Sequence, residues 1–139
     1  MIRYTTSLDE IEPRHLQGFF VDWGWPSHPS PETHLLILQR SSERVLALDT
    51  STGNVVGYIT AITDGVLSAY IPLLEVLQDW QGQGIGSQLV QRMLARLDGF
   101  YMIDLLCDAN LQPFYAKHGM QRTTGMLVRN YTRQTGKPE

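Results

Sequence analysis

The chain has 139 residues and a mass of 15.8 kDa, which is one ordinary domain with little room for a second. Apolar residues at 42% against 18% charged support a packed core, and a formal charge of −3 argues against a broad grip on nucleic acid. The single cysteine, Cys107, excludes an internal disulfide and a Cys-rich zinc site, and no uncharged apolar run approaches the ~20 residues of a membrane helix.

No signal-peptide core appears in the first ten residues, so the expected location is cytoplasmic, with no membrane and no nucleic acid as partner. After a short first strand, residues 8–23 read as a helix capped by Ser7. Ile11, His15, Leu16, Phe19 and Phe20 fall near one face of it. Residues 24–31 form a loop in which three prolines deny regular hydrogen bonding. Ser30-Pro31-Glu32 then starts a second helix, with a cap, a proline at the first position and an early acid. Residues 45–49, 55–62 and 67–76 read as strands, separated by the turn signals Thr52-Gly53-Asn54 and Asp64-Gly65. From Ile85 to Leu97 the period is helical again, with Ile85, Leu89, Val90, Met93 and Leu97 on one side. A buried strand at 101–107, a short helix at 110–118 and a last strand at 126–131 complete the order β-α-α-β-β-β-α-β-α-β. That is a single α+β domain over residues 1–139, with a mixed, mostly antiparallel sheet flanked by helices.

Between the third of these strands and the helix at Ile85 lies Gln81-Gly82-Gln83-Gly84-Ile85-Gly86-Ser87. The first turn of a helix leaves backbone N–H groups without partners, and the helix dipole adds positive charge there. Glycines remove the β-carbons that would keep a phosphate away, so this turn can cradle an anion without a basic side chain. No lysine follows Gly86, so it is not a nucleoside-triphosphate loop, and the third glycine falls one position early for a dinucleotide fingerprint. A flexible turn that merely feeds the helix is the other reading.

Gln81, Gly84 and Gly86, spaced as Gln, two residues, Gly, one residue, Gly, resemble the signature of the GNAT superfamily of acyl-coenzyme A N-acyltransferases. A second stretch, from Leu106 through Cys107, Asp108, Asn110, Pro113, Phe114 and Tyr115 to Gly119, resembles the downstream strand and short helix of that superfamily. It is particularly similar to arylalkylamine N-acetyltransferases. The resemblance covers almost the whole chain. It implies acetyl transfer from acetyl-CoA to a primary amine, most simply a small molecule, by direct attack in a ternary complex. It implies that backbone N–H groups from Gln81 to Ser87 hold the pyrophosphate, with Asn110 also on the cofactor side. Leu74 to Val76 would pair with the pantetheine arm, and the Val76 N–H would face the thioester oxygen. A homodimer is also compatible with it, though no exposed seam in the sequence predicts one.

Tyr115 is the carried-over general acid, and a core tyrosine is its bland alternative, since Leu111, Phe114, Tyr115 and His118 share a helical face. Arylalkylamine enzymes carry strand histidines where this chain has Tyr70 and Pro72. Glu75 is then the carboxylate on that strand able to act as base, its pKa raised if Leu73, Leu74 and Val76 bury it. Alternation does not decide its face next to a bulge, so a solvent-facing Glu75 stays open. Trp23, Trp25, His28 and His34 flank the loop that covers the acceptor site in this fold, and with Tyr70 they are the acceptor-side residues. Each alone also reads as loop packing. No His/Cys cluster points to a metal, and Cys107 lacks a paired His-Asp to activate it. Two rivals remain, a protein or peptide N-acetyltransferase and a coenzyme A-binding sensor with little catalysis.

Overall fold

A computed structural model describes residues 1–138. Strand β1 (Ile2–Thr5) precedes helix α1 (Pro31–Arg40) and strands β2 (Glu43–Asp49), β3 (Val55–Thr63), β4 (Ser68–Tyr70) and β5 (Leu74–Val76). Helix α2 (Ile85–Arg96), strand β6 (Met102–Asp104) and helix α3 (Gln112–Ala116) follow. The sheet runs β1-β2-β3-β4-β6, with β5 also on β3, and every pairing is antiparallel except β4 with β6. This is the expected α+β class. The turn chemistry acts as read. Gly53 (φ +76°) closes the β2–β3 hairpin by donating its N–H to the Asp49 carbonyl. Ser30 caps α1 by accepting from the Thr33 N–H at 3.2 Å.

Alternation along β2 and β3 sorts the core into two layers. Val45, Ala47, Val56, Ile59 and Ala61 face α2, against Leu89, Val90, Met93 and Leu97. Leu46, Leu48, Val55 and Tyr58 face the other way, against Leu16, Phe19, Phe20 and Leu38. Gly57 lets α2 down onto the sheet, since a β-carbon there would lie 3.2 Å from Leu89 and 3.3 Å from Ile85.

The strand expected at residues 67–76 is broken in two. Tyr70 lies opposite Ile62 and Leu74 opposite Ile59, so four steps on one strand match three on its partner. The extra residue is a bulge around Pro72, which has no N–H to give the ladder. Beyond it the Thr60 N–H bonds to the Leu73 carbonyl and the Leu77 N–H to the Val56 carbonyl. Because ladder bonds alternate along an antiparallel strand, the N–H and C=O groups of Leu74 and Val76 point away from β3. On that outer side β6 has already separated, its last bond to this strand running from the Ile71 N–H to the Asp104 carbonyl. Leu74 to Val76 thus form one wall of an open cleft in the sheet.

Four expectations need correction. Residues 8–23 are not one helix but two 3₁₀ turns, Pro13–His15 and Val21–Trp23. Pro13 interrupts the helical ladder, and Gly18 (φ +91°) and Phe20 (φ +71°) adopt left-handed conformations no helix can contain. The apolar side chains Leu16, Phe19 and Phe20 still reach the core. The strand at 101–107 is reduced to Met102–Asp104 and is not buried, because Tyr101, Met102 and Asp104 are exposed at the sheet edge. The helix expected at 110–118 is a 3₁₀ turn, Ala109–Leu111, running into α3. Residues 126–130 are exposed and belong to no strand among the described residues, and Tyr131 opens a 3₁₀ turn, Tyr131–Arg133.

Candidate active site

The glycine turn lies at the mouth of the cleft. After the 3₁₀ turn Gln78–Trp80, the Gln81 side chain donates to the Val76 carbonyl at 2.9 Å and ties the turn to the end of β5. Gly82 (φ +79°) and Gly84 (φ +85°) are left-handed, and a β-carbon on either would meet nothing within 4 Å. The space above them is therefore open to a ligand. Gly84 is the N-cap of α2 and offers no side chain to the helix. The N–H groups of Ile85, Gly86 and Ser87 are thus free of a side-chain cap, and Gln83 completes the rim. The residues present fit a pyrophosphate: open glycines, unpaired donors and the positive end of a helix dipole.

The second motif packs against the first. A β-carbon on Gly86 would lie 3.6 Å from the Phe114 ring, so α3 abuts the first turn of α2. Phe114 and Tyr115 form an edge-to-face pair at 5.0 Å. Tyr115 is half-buried against the α2-side core, and burial, with Cys107 beside it, pushes its hydroxyl up to about 12. It therefore stays protonated at neutral pH. Burial and Asp108 push the Cys107 thiol up as well, away from a nucleophilic thiolate. Asn110 is exposed in the turn before α3.

Glu75 faces the opposite layer from Leu74 and Val76, and its two carboxylate oxygens accept the Phe20 N–H at 3.0 and 3.1 Å. Burial raises its pKa to about 7. The Phe20 N–H opposes that rise, Asp22 adds to it, and His28 and the Trp23 indole pull it back down. The fold therefore gathers Glu75, Trp23 and His28 around one carboxylate. Trp25 stands 5.1 Å from Trp23, ring to ring, with Phe20 behind both. Loop 26–31 packs toward this region through Pro29, which is buried, and His28, which is half-buried. Beneath it a cavity of about 130 Å³ is lined by Phe20, His28, Pro29 and His34. Another cavity, of about 160 Å³, lies between His15, Asp49, Leu77 and Trp80, and neither cavity is lined by Glu75 or Tyr115. Tyr70 is not gathered with the others. It ends β4 on the far side of the bulge, paired with Ile62 and Asp104.

Two residues of this site, Phe20 and Tyr58, carry no functional reading in the sequence, and a third, His34, stands elsewhere than expected. Phe20 is the one non-glycine residue with positive φ among those described, a strained conformation of the kind that marks working sites, and its N–H addresses Glu75. Tyr58 lies opposite Glu75 on β3, and burial together with the Glu75 charge pushes its hydroxyl well up. His34 lies on α1 rather than on the loop, fully buried among Phe19, Phe20 and Tyr58, and burial lowers its pKa to about 4. It is neutral at physiological pH and not a proton carrier there.

Residues 8–120 match the profile of the Acetyltransferase (GNAT) family. Among solved structures, a candidate acetyltransferase from Deinococcus radiodurans R1 is 43% identical, with 99% of this chain and 94% of that one covered and a TM-score of 0.94. An acetyltransferase of the GNAT family from Streptococcus pneumoniae TIGR4 is 28% identical, with 94% and 98% covered and a TM-score of 0.74. Glucosamine-6-phosphate N-acetyltransferase from Arabidopsis thaliana shares the fold at 14% identity, with 94% and 98% covered and a TM-score of 0.66. No protein of curated function matches the chain.

Proposed function

Because the chain belongs to the acetyltransferase (GNAT) family, we propose that it moves an acetyl group from acetyl-CoA to the primary amine of a small molecule, by direct attack in a ternary complex. The observation that carries this reading is the cleft. Outward-facing backbone groups of Leu74 and Val76 and the uncapped start of α2 border it or its mouth, and α3, which carries the protonated Tyr115, abuts that helix start through Phe114. Acetyl-CoA, when bound, supplies an acyl thioester. In this reading the N–H groups from Gln81 to Ser87 hold its pyrophosphate and the β5 edge orients its arm. The Val76 N–H is a preorganised donor for a developing oxyanion, and Tyr115 keeps a proton for the leaving thiolate.

On the other face of β5, Glu75 takes the proton from an ammonium acceptor, a task matched to a carboxyl near neutrality. Trp23, Trp25 and the Asp22 and Glu75 carboxylates favour a cationic amine, through ring faces and opposite charge. The small cavity under loop 26–31, about 130 Å³, favours a compact acceptor over a peptide laid in a groove. No described helix is long and apolar enough to cross a membrane. A cytoplasmic location belongs to the same proposal.

Isothermal titration of the wild type with acetyl-CoA, desulfo-coenzyme A and ATP tests the donor assignment. Binding of both coenzyme A species without matching ATP binding supports it, and a folded protein that binds neither overturns it. Tyr115→Phe is expected to lower turnover roughly 10²-fold with little change in acetyl-CoA affinity, because only the proton is removed. An unchanged turnover number removes Tyr115 from the mechanism.

A further inference from the structure

Buried polar side chains without a partner are few in native chains, because leaving a donor or acceptor unpaired inside costs more than pairing it gains. This chain gathers several in one spot. Neither ring nitrogen of His34 has a hydrogen-bond partner among the described residues, and neither has the Tyr58 hydroxyl. Both residues are 0% exposed, and their ring centres lie 4.5 Å apart. Thr60, two positions on and so on the same face of β3, adds another buried hydroxyl in the same condition. The polar groups around them are paired. Glu75 accepts the Phe20 N–H, His28 donates from Nδ1 to the Pro29 carbonyl at 3.0 Å, and Ser30 caps α1.

The place of these groups ties them to the acceptor side. Tyr58 stands opposite Glu75 in the β3–β5 ladder, so the two side chains leave the sheet on the same face. His34 lines the cavity of about 130 Å³ under loop 26–31, together with Phe20, whose N–H is held by Glu75. Phe19 and Phe20 pack edge-on against the His34 ring and fix its surroundings. Charge then selects what fits. Burial keeps His34 neutral, so it offers one N–H and one lone pair, and the Tyr58 hydroxyl also both donates and accepts. A hydroxyl or a carboxamide answers such a pair in kind. A carboxylate would lie against the Glu75 charge that already acts on Tyr58. A second ammonium would be buried among rings with no anion of its own.

We propose that His34 and Tyr58 set acceptor specificity, and that the acceptor is a short amine carrying a neutral hydroxyl or carboxamide. That group enters the cavity under loop 26–31 and bonds to His34 and Tyr58, while the amine stands at Glu75. The inference rests on the acceptor side assigned above and narrows it from amines in general to amino alcohols and amino amides. Discrimination follows from the same cause. A methyl in place of the hydroxyl leaves both buried side chains unpaired in a site now closed to water.

Calorimetric titration of the full chain tests this, with and without desulfo-coenzyme A. The panel is ω-amino alcohols and ω-amino amides of two to five carbons, against alkylamines, diamines and amino acids of matching length. For at least one length the alcohol or amide is expected to bind roughly 10–100-fold tighter than the matching alkylamine. Tyr58→Phe should shrink that preference, and the double variant His34→Leu, Tyr58→Phe should abolish it, with alkylamine binding retained. Tyr58→Phe keeps the ring and its packing, so the test does not depend on the double variant folding. Measured without amine, Tyr58→Phe should melt at or above wild type, because the hydroxyl it removes has no partner to lose.

A wild type that binds alcohol and alkyl members alike overturns the proposal, as does one that prefers the diamine or the amino acid, or binds none of the panel. So does a preference that both substitutions leave intact, or a Tyr58→Phe protein that melts clearly lower, which would make the hydroxyl structural. An amine that binds with this preference yet takes no acetyl group from acetyl-CoA upholds the subsite and removes the acetyl-transfer reading. Turnover of alcohols and alkylamines at equal kcat/KM does the reverse.

Discussion

Glu75→Gln is expected to lower turnover by roughly 10²–10⁴-fold, the range of a lost general base, while acetyl-CoA binding stays near wild type. Glutamine keeps an oxygen that can accept the Phe20 N–H, now at 3.0 Å, so the loop geometry survives and only the titratable group is removed. The pH profile separates this role from a structural one. With the Glu75 pKa at about 7, wild-type kcat/KM should rise with pH through an inflection near that value, because the carboxylate is the active form. The variant should lack that inflection. Stability moves the opposite way. The carboxyl is easier to ionise in the unfolded chain, near its ordinary 4.5, than in the folded one. Between about 4.5 and 7 the folded state holds the extra proton, so stability falls as pH rises through that window and levels off above it. Denaturant melts of wild type and variant across this window check the sign. A rate inflection that persists in Glu75→Gln assigns the base elsewhere.

Gly84→Glu should weaken acetyl-CoA binding by roughly 100-fold or more, about 2.7 kcal/mol, with the fold retained. A side chain at this N-cap stands at the open mouth of the cradle, where no protein atom lies within 4 Å of its β-carbon. Its carboxylate would take the uncapped N–H groups of α2 for itself and repel a pyrophosphate. The left-handed φ of +85° adds backbone strain of about 1 kcal/mol or more, offset in part by the favourable charge at a helix start. Gly84→Ala carries the strain without the charge. Titration of both variants therefore isolates the electrostatic part, and equal losses in the two would show that conformation alone matters.

What could be read from the sequence depended on how local the cause was. The cap at Ser30, the hairpin at Gly53 and the glycine turn that starts α2 at Gly84 each rest on neighbouring residues, and each turn or cap stands where expected. Residues 8–23 have the apolar spacing of a helix, and that spacing does bring Leu16, Phe19 and Phe20 to the core. The backbone path follows Pro13, Gly18 and Phe20 instead. A left-handed phenylalanine has no sequence signature, so its bond to Glu75 could not be foreseen. The face of Glu75 was undecidable for a related reason: it depends on a bulge whose place is set by β3 on one side and β6 on the other. Residues 126–131 carry an apolar run of strand-forming composition, but composition names no partner, and among the described residues no strand pairs with them.

The bulge around Pro72 also acts as a change of phase. Before it the odd positions Ala69 and Ile71 face α2; after it the even positions Leu74 and Val76 do. Continued without the extra residue, the strand would turn Glu75 into the oily layer beneath α2 and swing Leu74 and Val76 toward Phe20. Every residue would be kept and every role exchanged. One inserted position thus divides the labour of a single strand, core before it, donor wall and carboxylate after it. Gain or loss of one residue there is a larger event for this protein than most substitutions within it.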